Sequence, residues 1–219
     1  MTVHTDLLAY YMQLASTYDQ LYEAPERQAD LAQLHARVQS TLAGQRVLEL
    51  ACGTGFWTTD IAVTATQTLA TDINPTMLEA ARAKHLDAAK VSFAVADAYA
   101  LQPIGDDSAF DACFAGCWWS HVPRERQAAF LSGLRDRLRP GARLVLVDDI
   151  YVENISTPIA RTDAEGNTYQ IHRSADGERH EVLKNFLTDS TLRKRLGGHV
   201  NDLRIERFEY YWLLTGRFK

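Results

Sequence analysis

The stretch VLELACGTGFWT, Val47 to Thr58, leaves an apolar segment that holds a single glutamate, passes through Gly53-Thr54-Gly55 and enters a second apolar segment. Arg46 to Leu50 reads as a buried strand and Phe56 to about Val63 as a helix. Such a turn gathers free N–H donors at the helix start, and glycine lets the backbone approach a ligand closely. It suits an anion or a sugar. Alone it is a weak signal, because the dinucleotide fingerprint wants a third glycine and Thr58 stands there. Glu49 is also foreign to that fingerprint: a carboxylate inside a strand is costly unless it is paired or its edge is exposed.

Outward from this turn, strands and helices alternate. Thr68 to Asp72 reads as a strand. Asn74 caps a helix with Pro75 in its first turn, running to about Lys84. Val91 to Val95 and Phe110 to Ala115 read as strands. Pro123 opens a long helix to about Leu138, broken by Arg139-Pro140-Gly141, and Leu144 to Val147 is a further strand. The alternation predicts a parallel sheet with crossover helices. Before it, the 3.6-residue spacing of Leu7, Leu8, Tyr11, Leu14, Ala15, Tyr18 and Leu21 predicts one helix over about Asp6 to Tyr22. A second helix from Pro25 to about Leu42 is ended by Gly44. After Asp149 the pattern changes. Residues 150–187 are polar, with an ADGE turn that looks like a hairpin tip. A short helix from Asp189 to Leu196 follows, then two β-rich pieces over Leu203 to Phe218 with no room for a crossover helix, best paired antiparallel.

The 219 residues fit one domain with a sizeable core. We read 1–43 as an N-terminal helical cap and 150–187 as a lid or hairpin insertion. A net charge of −5 argues against a nucleic-acid partner. No segment approaches the roughly 18 to 20 apolar residues of a membrane span, and no signal peptide is visible. The cysteines, Cys52, Cys113 and Cys117, form no disulfide framework and read as reduced thiols of a cytoplasmic protein.

Asp72 ends the strand after the glycine turn, where a carboxylate can accept both hydroxyls of a ribose. Asp97 ends the next strand, where it can face the edge of a base; a loop-capping role is its plain alternative. In an open α/β sheet the ligand crevice lies beyond these strand ends.

VLELACGTG, LATDINPTMLEAAR, VADAYAL, FDACFAGCWWSHVPR and RLRPGARLVLVDD together resemble the ordered motifs of class I S-adenosylmethionine-dependent methyltransferases. The resemblance covers about Arg46 to Asp149. It implies a Rossmann-like, α/β, seven-stranded and mostly parallel sheet with helices on both faces and an antiparallel last strand. It implies S-adenosyl-L-methionine as cofactor and S-adenosyl-L-homocysteine as product. Carried onto this sequence, Gly53 and Gly55 pass the methionine part, and Glu49 orients the loop or meets the cofactor amino group. Asp72 holds the ribose, Ile73 packs on the adenine, Asp97 accepts from the adenine amino group and the Ala98 amide meets the ring. Ala115 and Gly116 line the path near the sulfonium, and Tyr18 closes over the cofactor from the N-terminal helix.

Trp118 and Trp119, after the fourth of these strands, are candidates for the substrate wall, since a sulfonium and a flat acceptor both favour aromatic faces. The plain alternative makes one of them core. His121 is the candidate catalytic base, against a capping role at the following helix. Cys113, Cys117 and His121 recur at intervals of four, but a strand does not put them on one face, so no metal site is expected. From the lid, Tyr151 and Tyr169 are candidate substrate contacts, with Arg161, His172, Arg173 and His180 nearby.

These features predict transfer of a methyl group to an oxygen or nitrogen of a small-molecule metabolite by a monomer or homodimer. The rival readings are an NAD(P)-dependent dehydrogenase and a non-catalytic S-adenosylmethionine-binding partner protein.

Overall fold

A computed structural model describes residues 3–4, 7–100, 110–174 and 176–219. The chain begins with β1 (Val3–His4) and α1 (Leu7–Leu14), a 3-10 turn over Tyr18–Tyr22, a second over Pro25–Arg27, and α2 (Gln28–Leu42). β2 (Arg46–Leu50), α3 (Phe56–Thr64), β3 (Gln67–Asp72), α4 (Pro75–Arg82), β4 (Val91–Val95) and β5 (Ala112–Gly116) follow, then α5 (Gln127–Arg135) and β6 (Arg143–Asp149). The rest comprises β7 (Ile159–Thr162), β8 (Thr168–Arg173), β9 (Arg179–Leu183), α6 (Asp189–Leu196), β10 (Val200–Arg207) and β11 (Tyr211–Phe218).

Seven strands form the main sheet in the order β10-β11-β6-β5-β2-β3-β4. The pairs from β6 to β4 are parallel, β11 runs antiparallel to β6, and β10 antiparallel to β11. Successive strand residues point to opposite faces, and both faces of this sheet are covered. Val47, Phe114 and Val145 pack with Leu34, Val38 and Leu42 of α2 and Trp57 and Ile61 of α3. Leu48, Leu50 and Leu146 pack with Leu131 and Leu134 of α5 and Leu192 and Leu196 of α6. Burial on both sides explains why the strands read as apolar runs rather than alternating ones.

Three expectations change. The helix expected over Asp6 to Tyr22 is interrupted: α1 stops at Leu14 and Tyr18–Tyr22 is a 3-10 turn. Thr17 bends the chain back, its amide donating to Leu14 O at 2.9 Å; Asp6 itself lies outside the described residues. The helix expected from Pro123 starts at Gln127. Pro123 to Arg126 instead closes a single turn, with Arg126 N donating to Pro123 O, and the Arg124 amide goes to Asn167 of the insertion. The 150–187 segment is more than a hairpin. β7, β8 and β9 form an antiparallel sheet, and β1 adds to its edge parallel to β9, so the N-terminus is stitched to the insertion. Of the expected ADGE tip, Ala175 lies outside the described residues, and Gly177 takes the turn at φ 86°.

Candidate functional site

The parallel strands β2 to β6 deliver their carboxyl ends to one edge of the sheet, and two cavities lie above it. The first, of about 290 Å³, is built by the ends of four neighbouring strands: Ala51 and Gly53 after β2, Asp72 to Asn74 after β3, Ala96 to Tyr99 after β4, and Gly116 to Trp118 after β5. Gly53 and Gly55 take φ of 55° and 74°, the left-handed region where side chains are strained. A Cβ on Gly55 would sit 3.1 Å from the Ala81 methyl, so a side chain here would press on α4.

Asp72 fixes the turn as well as lining the cavity. Its Oδ2 accepts from the Gly53 amide at 2.9 Å and its Oδ1 from the Asn74 amide at 2.8 Å. Burial pushes its pKa up, and these backbone donors oppose the rise. Asp97 accepts from the Tyr99 amide at 2.8 Å and lines the same cavity with Ala98 and the exposed Ile73.

Tyr18 and Tyr11 roof this cavity from the N-terminal segment. Tyr18 Cε1 comes within 3.9 Å of where a Gly53 Cβ would be. Next to it, Asp19 ties the roof to the floor: its carboxylate accepts from the Thr54 hydroxyl at 2.5 Å and from Lys84 Nζ at 2.8 Å.

The second cavity, of about 240 Å³, lies where the cap, the tip of β6 and the 150–187 segment meet. Tyr10, Tyr11 and Tyr22 come from the cap, Asp149 from the tip of β6, and Gln170, His172 and Lys184 from the insertion. Lys184 Nζ lies 2.8 Å from Asp149 and 3.2 Å from the fully buried Asp148, and Arg27 reaches Asp149 at 3.3 Å. Burial opposes the charge on Lys184, but Asp148 and Asp149 outweigh it and hold the ammonium well above its ordinary range. Burial likewise opposes the charge on Asp149, and Lys184 and Arg27 overcome it, so its pKa falls. Cys117 Sγ lies close to both aspartates; Lys184 occupies the position a cation would take between them, and burial pushes the thiol pKa up.

Tyr11, Tyr18, Cys117 and His121 line both cavities and form the septum between them. His121 Nδ1 lies 2.6 Å from Leu183 O and its Nε2 3.0 Å from the Tyr11 hydroxyl. Burial, with the Lys184 charge adding, lowers the imidazole to about 3, so it is neutral in the working pH range.

Of the residues singled out in the sequence, Tyr18, Gly53, Asp72, Ile73, Asp97, Ala98, Trp118 and His121 line the first cavity. Gly55 shapes the turn from behind. Five others are placed elsewhere. Glu49 is buried beneath the turn, where Thr58 donates to it at 2.7 Å, and burial raises its pKa to about 8. It orients the first turn of α3 and touches neither cavity. Ala115 packs in the core with Leu48 and Leu146, and Gly116, the last residue of β5, lines the cavity with its backbone, the direction of its missing side chain being filled by Trp57. Trp119 is fully buried and packs on Phe130. Tyr151 packs edge-on to Phe186, outside both cavities. Tyr169 faces away as well, its hydroxyl donating to Asp163 and its ring lying under Arg161. Strand parity is the reason: on β8, Gln170 and His172 face inward, so Tyr169 does not. Arg161 pairs with Glu181, and His180 sits against Tyr10. Tyr11, Arg27 and Lys184 carry no motif. The apolar spacing of the first segment pointed to Tyr11 alone, and nothing in the sequence pointed to Arg27 or Lys184.

Residues 47–141 match a family described as a methyltransferase domain. A demethylmenaquinone methyltransferase of Clavibacter sepedonicus is 35% identical over 112 residues, 51% of this chain and 44% of that protein. An O-methyltransferase of Pyrenophora dematioidea is 29% identical over 203 residues, 87% of this chain and 72% of that one. The match to the first relative thus spans less than half of its length. Among solved structures, the DhpI-SAH complex aligns with a TM-score of 0.79 at 27% identity, covering 96% of this chain and 94% of that one. The DhpI-SAM-HEP complex aligns with a TM-score of 0.77 at 26% identity, covering 96% and 95%. Among the described residues, no helix is long and apolar enough to cross a membrane.

Proposed function

We propose that the chain is a class I S-adenosylmethionine-dependent methyltransferase and that it moves a methyl group onto an oxygen or nitrogen of a small-molecule metabolite held in the second cavity. The observation that carries this reading is the septum: two cavities of metabolite size meet across Tyr11, Tyr18, Cys117 and His121. The residues of the first cavity fit the cofactor. Asp72 is at a strand tip with acceptor capacity to spare for a ribose, Asp97 stands beside it for a base, and the left-handed Gly53 leaves the floor open under Tyr18. When bound there, S-adenosylmethionine supplies an already activated methyl group. The chain's own work is then alignment and exclusion of water, and positioning of this kind is worth up to roughly 7 to 11 kcal/mol.

Gly53, Gly55, Asp72, Ile73, Asp97 and Ala98 hold the cofactor in this reading, and Tyr18 covers it. Trp118 forms the wall between the base end and the septum. On the acceptor side, Gln170, His172, Lys184 and Asp149 supply polar contacts in place of Tyr151 and Tyr169. His121 takes up the acceptor's proton. The reading includes a reduced, cytoplasmic chain acting as a monomer or homodimer, without nucleic acid.

Incubation of native protein with methyl-labelled cofactor and a metabolite extract, followed by mass spectrometry, tests it. One labelled small-molecule product is expected. Calorimetry should show binding of S-adenosylmethionine and S-adenosylhomocysteine and none of a nicotinamide dinucleotide. Cofactor binding without transfer to any metabolite would favour a non-catalytic partner protein and overturn the reading.

A further inference from the structure

Tyr11 is a septum residue that the reaction scheme above leaves without a task, and its hydrogen bonds have a direction. The Leu183 carbonyl can only accept, so the 2.6 Å contact puts the proton on His121 Nδ1. A neutral imidazole then has a bare lone pair at Nε2. The Tyr11 hydroxyl, 3.0 Å away, is therefore the donor of that bond. A phenol has one proton, and here it is committed. What Tyr11 Oη turns toward the meeting point of the two cavities is lone pairs only.

We propose that Tyr11 is a catalytic residue that selects acceptors whose attacking atom bears a hydrogen, a hydroxyl or a primary or secondary amine, and that it passes that hydrogen to His121. This rests on the methyltransferase reading above and names the acceptor class of the same site. An X–H group finds a waiting acceptor at Oη, and that bond aims its lone pair across the septum. An ionised oxygen would face the Tyr11 lone pairs and be repelled. A tertiary amine or a thioether would offer the Oη lone pairs no donor.

The direction of the chain also balances the step. The S–CH3 bond breaks with its electron pair left on sulfur, and the X–CH3 bond forms from the pair on X. The X–H proton goes to Tyr11 Oη as the Tyr11 proton goes to His121 Nε2. One positive charge leaves sulfur and one arrives on the imidazole, so the closed space carries the same charge before and after. Burial raises the Tyr11 phenol and lowers His121. Neither ionises beforehand, and the proton moves with the methyl group. The imidazolium then readily returns its proton through Tyr11 to water once product leaves.

Two measurements test this. In protein carrying nitrogen-15 histidine, the His121 resonances should report the Nδ1–H tautomer, and Tyr11→Phe should move the Nε2 resonance. An Nε2–H tautomer, or an Nε2 resonance indifferent to Tyr11→Phe, overturns the proposal. With the labelled cofactor and the extract acceptor, Tyr11→Phe should lower kcat about 100-fold while the Kd of S-adenosylhomocysteine stays within about twofold. A raised cofactor KM with kcat kept would make Tyr11 a roof only and overturn it. His121→Gln can still donate to Leu183 and accept from Tyr11 but cannot take up a proton, so it should lose kcat about as far as His121→Leu; kcat kept in His121→Gln overturns the relay. A product methylated on an atom that bore no hydrogen also overturns it. If native protein labels nothing, the methyltransferase reading fails, and the spectra alone judge the hydrogen-bond chain.

Discussion

The two cavities are built in different ways. The first is made where four neighbouring strands of one parallel sheet end, and its shape comes from backbone: a left-handed glycine, amides clasped by Asp72, the loops after β4 and β5. The second is made where the cap, the tip of β6 and the insertion meet, and its shape comes from long side chains held by mutual charge. A backbone site is fixed by the fold and serves one ligand well. A side-chain site can be rebuilt without touching the sheet. In the proposed reading, the first cavity is the cofactor's and the second sets the choice of acceptor.

The largest way to break that contrast is Lys184→Met. It strips the ammonium from between the buried Asp148 and the partly buried Asp149, and removing one partner of a buried pair costs about 3 to 5 kcal/mol. Chemical denaturation should show this loss. Calorimetry at a temperature where the variant is folded should show cofactor affinity close to native, since Lys184 lines only the second cavity. Lost cofactor affinity would mean the two sites are not separable.

Asp72→Ala is the counterpart on the other side. Hydrogen bonds to a charged group are worth about 1.5 to 3 kcal/mol, so cofactor affinity should fall about 10- to 150-fold by calorimetry. The protein should stay folded by circular dichroism, though less stable, because the Gly53 and Asn74 amides lose their acceptor. Unchanged affinity would remove the proposed ribose contact.

Much of the first cavity could be read in the sequence because its determinants are local. The glycine pair, Asp72 and Asp97 each sit at a strand end fixed by an apolar run a few residues long. Ala115 shows the limit: it lies one residue short of the end of β5 and packs into the core, while the backbone of Gly116 reaches the cavity, and nothing in the motif says where the strand stops. Tyr169 fails through strand parity, because Gln170 and His172 take the inner face of β8. Lys184 and Arg27 could not be read at all. Their meaning arises when segments more than a hundred residues apart converge on Asp149, and single-sequence periodicity carries no such information. The α1 break at Ala15 to Thr17 escaped too, since the apolar spacing continues through it.

His121→Ala should lower kcat by about 100-fold or more, with the Kd of S-adenosylhomocysteine little changed. Full turnover in mass-spectrometric assay would leave His121 as scaffold between β9 and the septum.

Smaller still is a pH effect beneath the glycine turn. A carboxyl whose folded-state pKa is raised favours folding while protonated. For Glu49 that contribution is complete below about 4.5 and is lost as pH rises through about 8. Glu49→Gln keeps an acceptor for Thr58 and should flatten this part of the Tm-against-pH curve, being at least as stable as native at pH above about 8. A variant that parallels the native curve would show that Glu49 does not titrate there. At the lower end, Tyr169→Phe should leave turnover as it was, because that hydroxyl serves Asp163 on the outer side of the insertion.

Asp19 holds the N-terminal roof to the glycine turn through one hydroxyl and one ammonium, and the Asp19–Lys84 pair is partly exposed. Water and dissolved ions compete for such a tie. The fastening of Tyr18 over Gly53 should therefore loosen as ionic strength climbs, while the pairing of β1 with β9 and the Tyr11–His121 bond hold the rest of the segment in place.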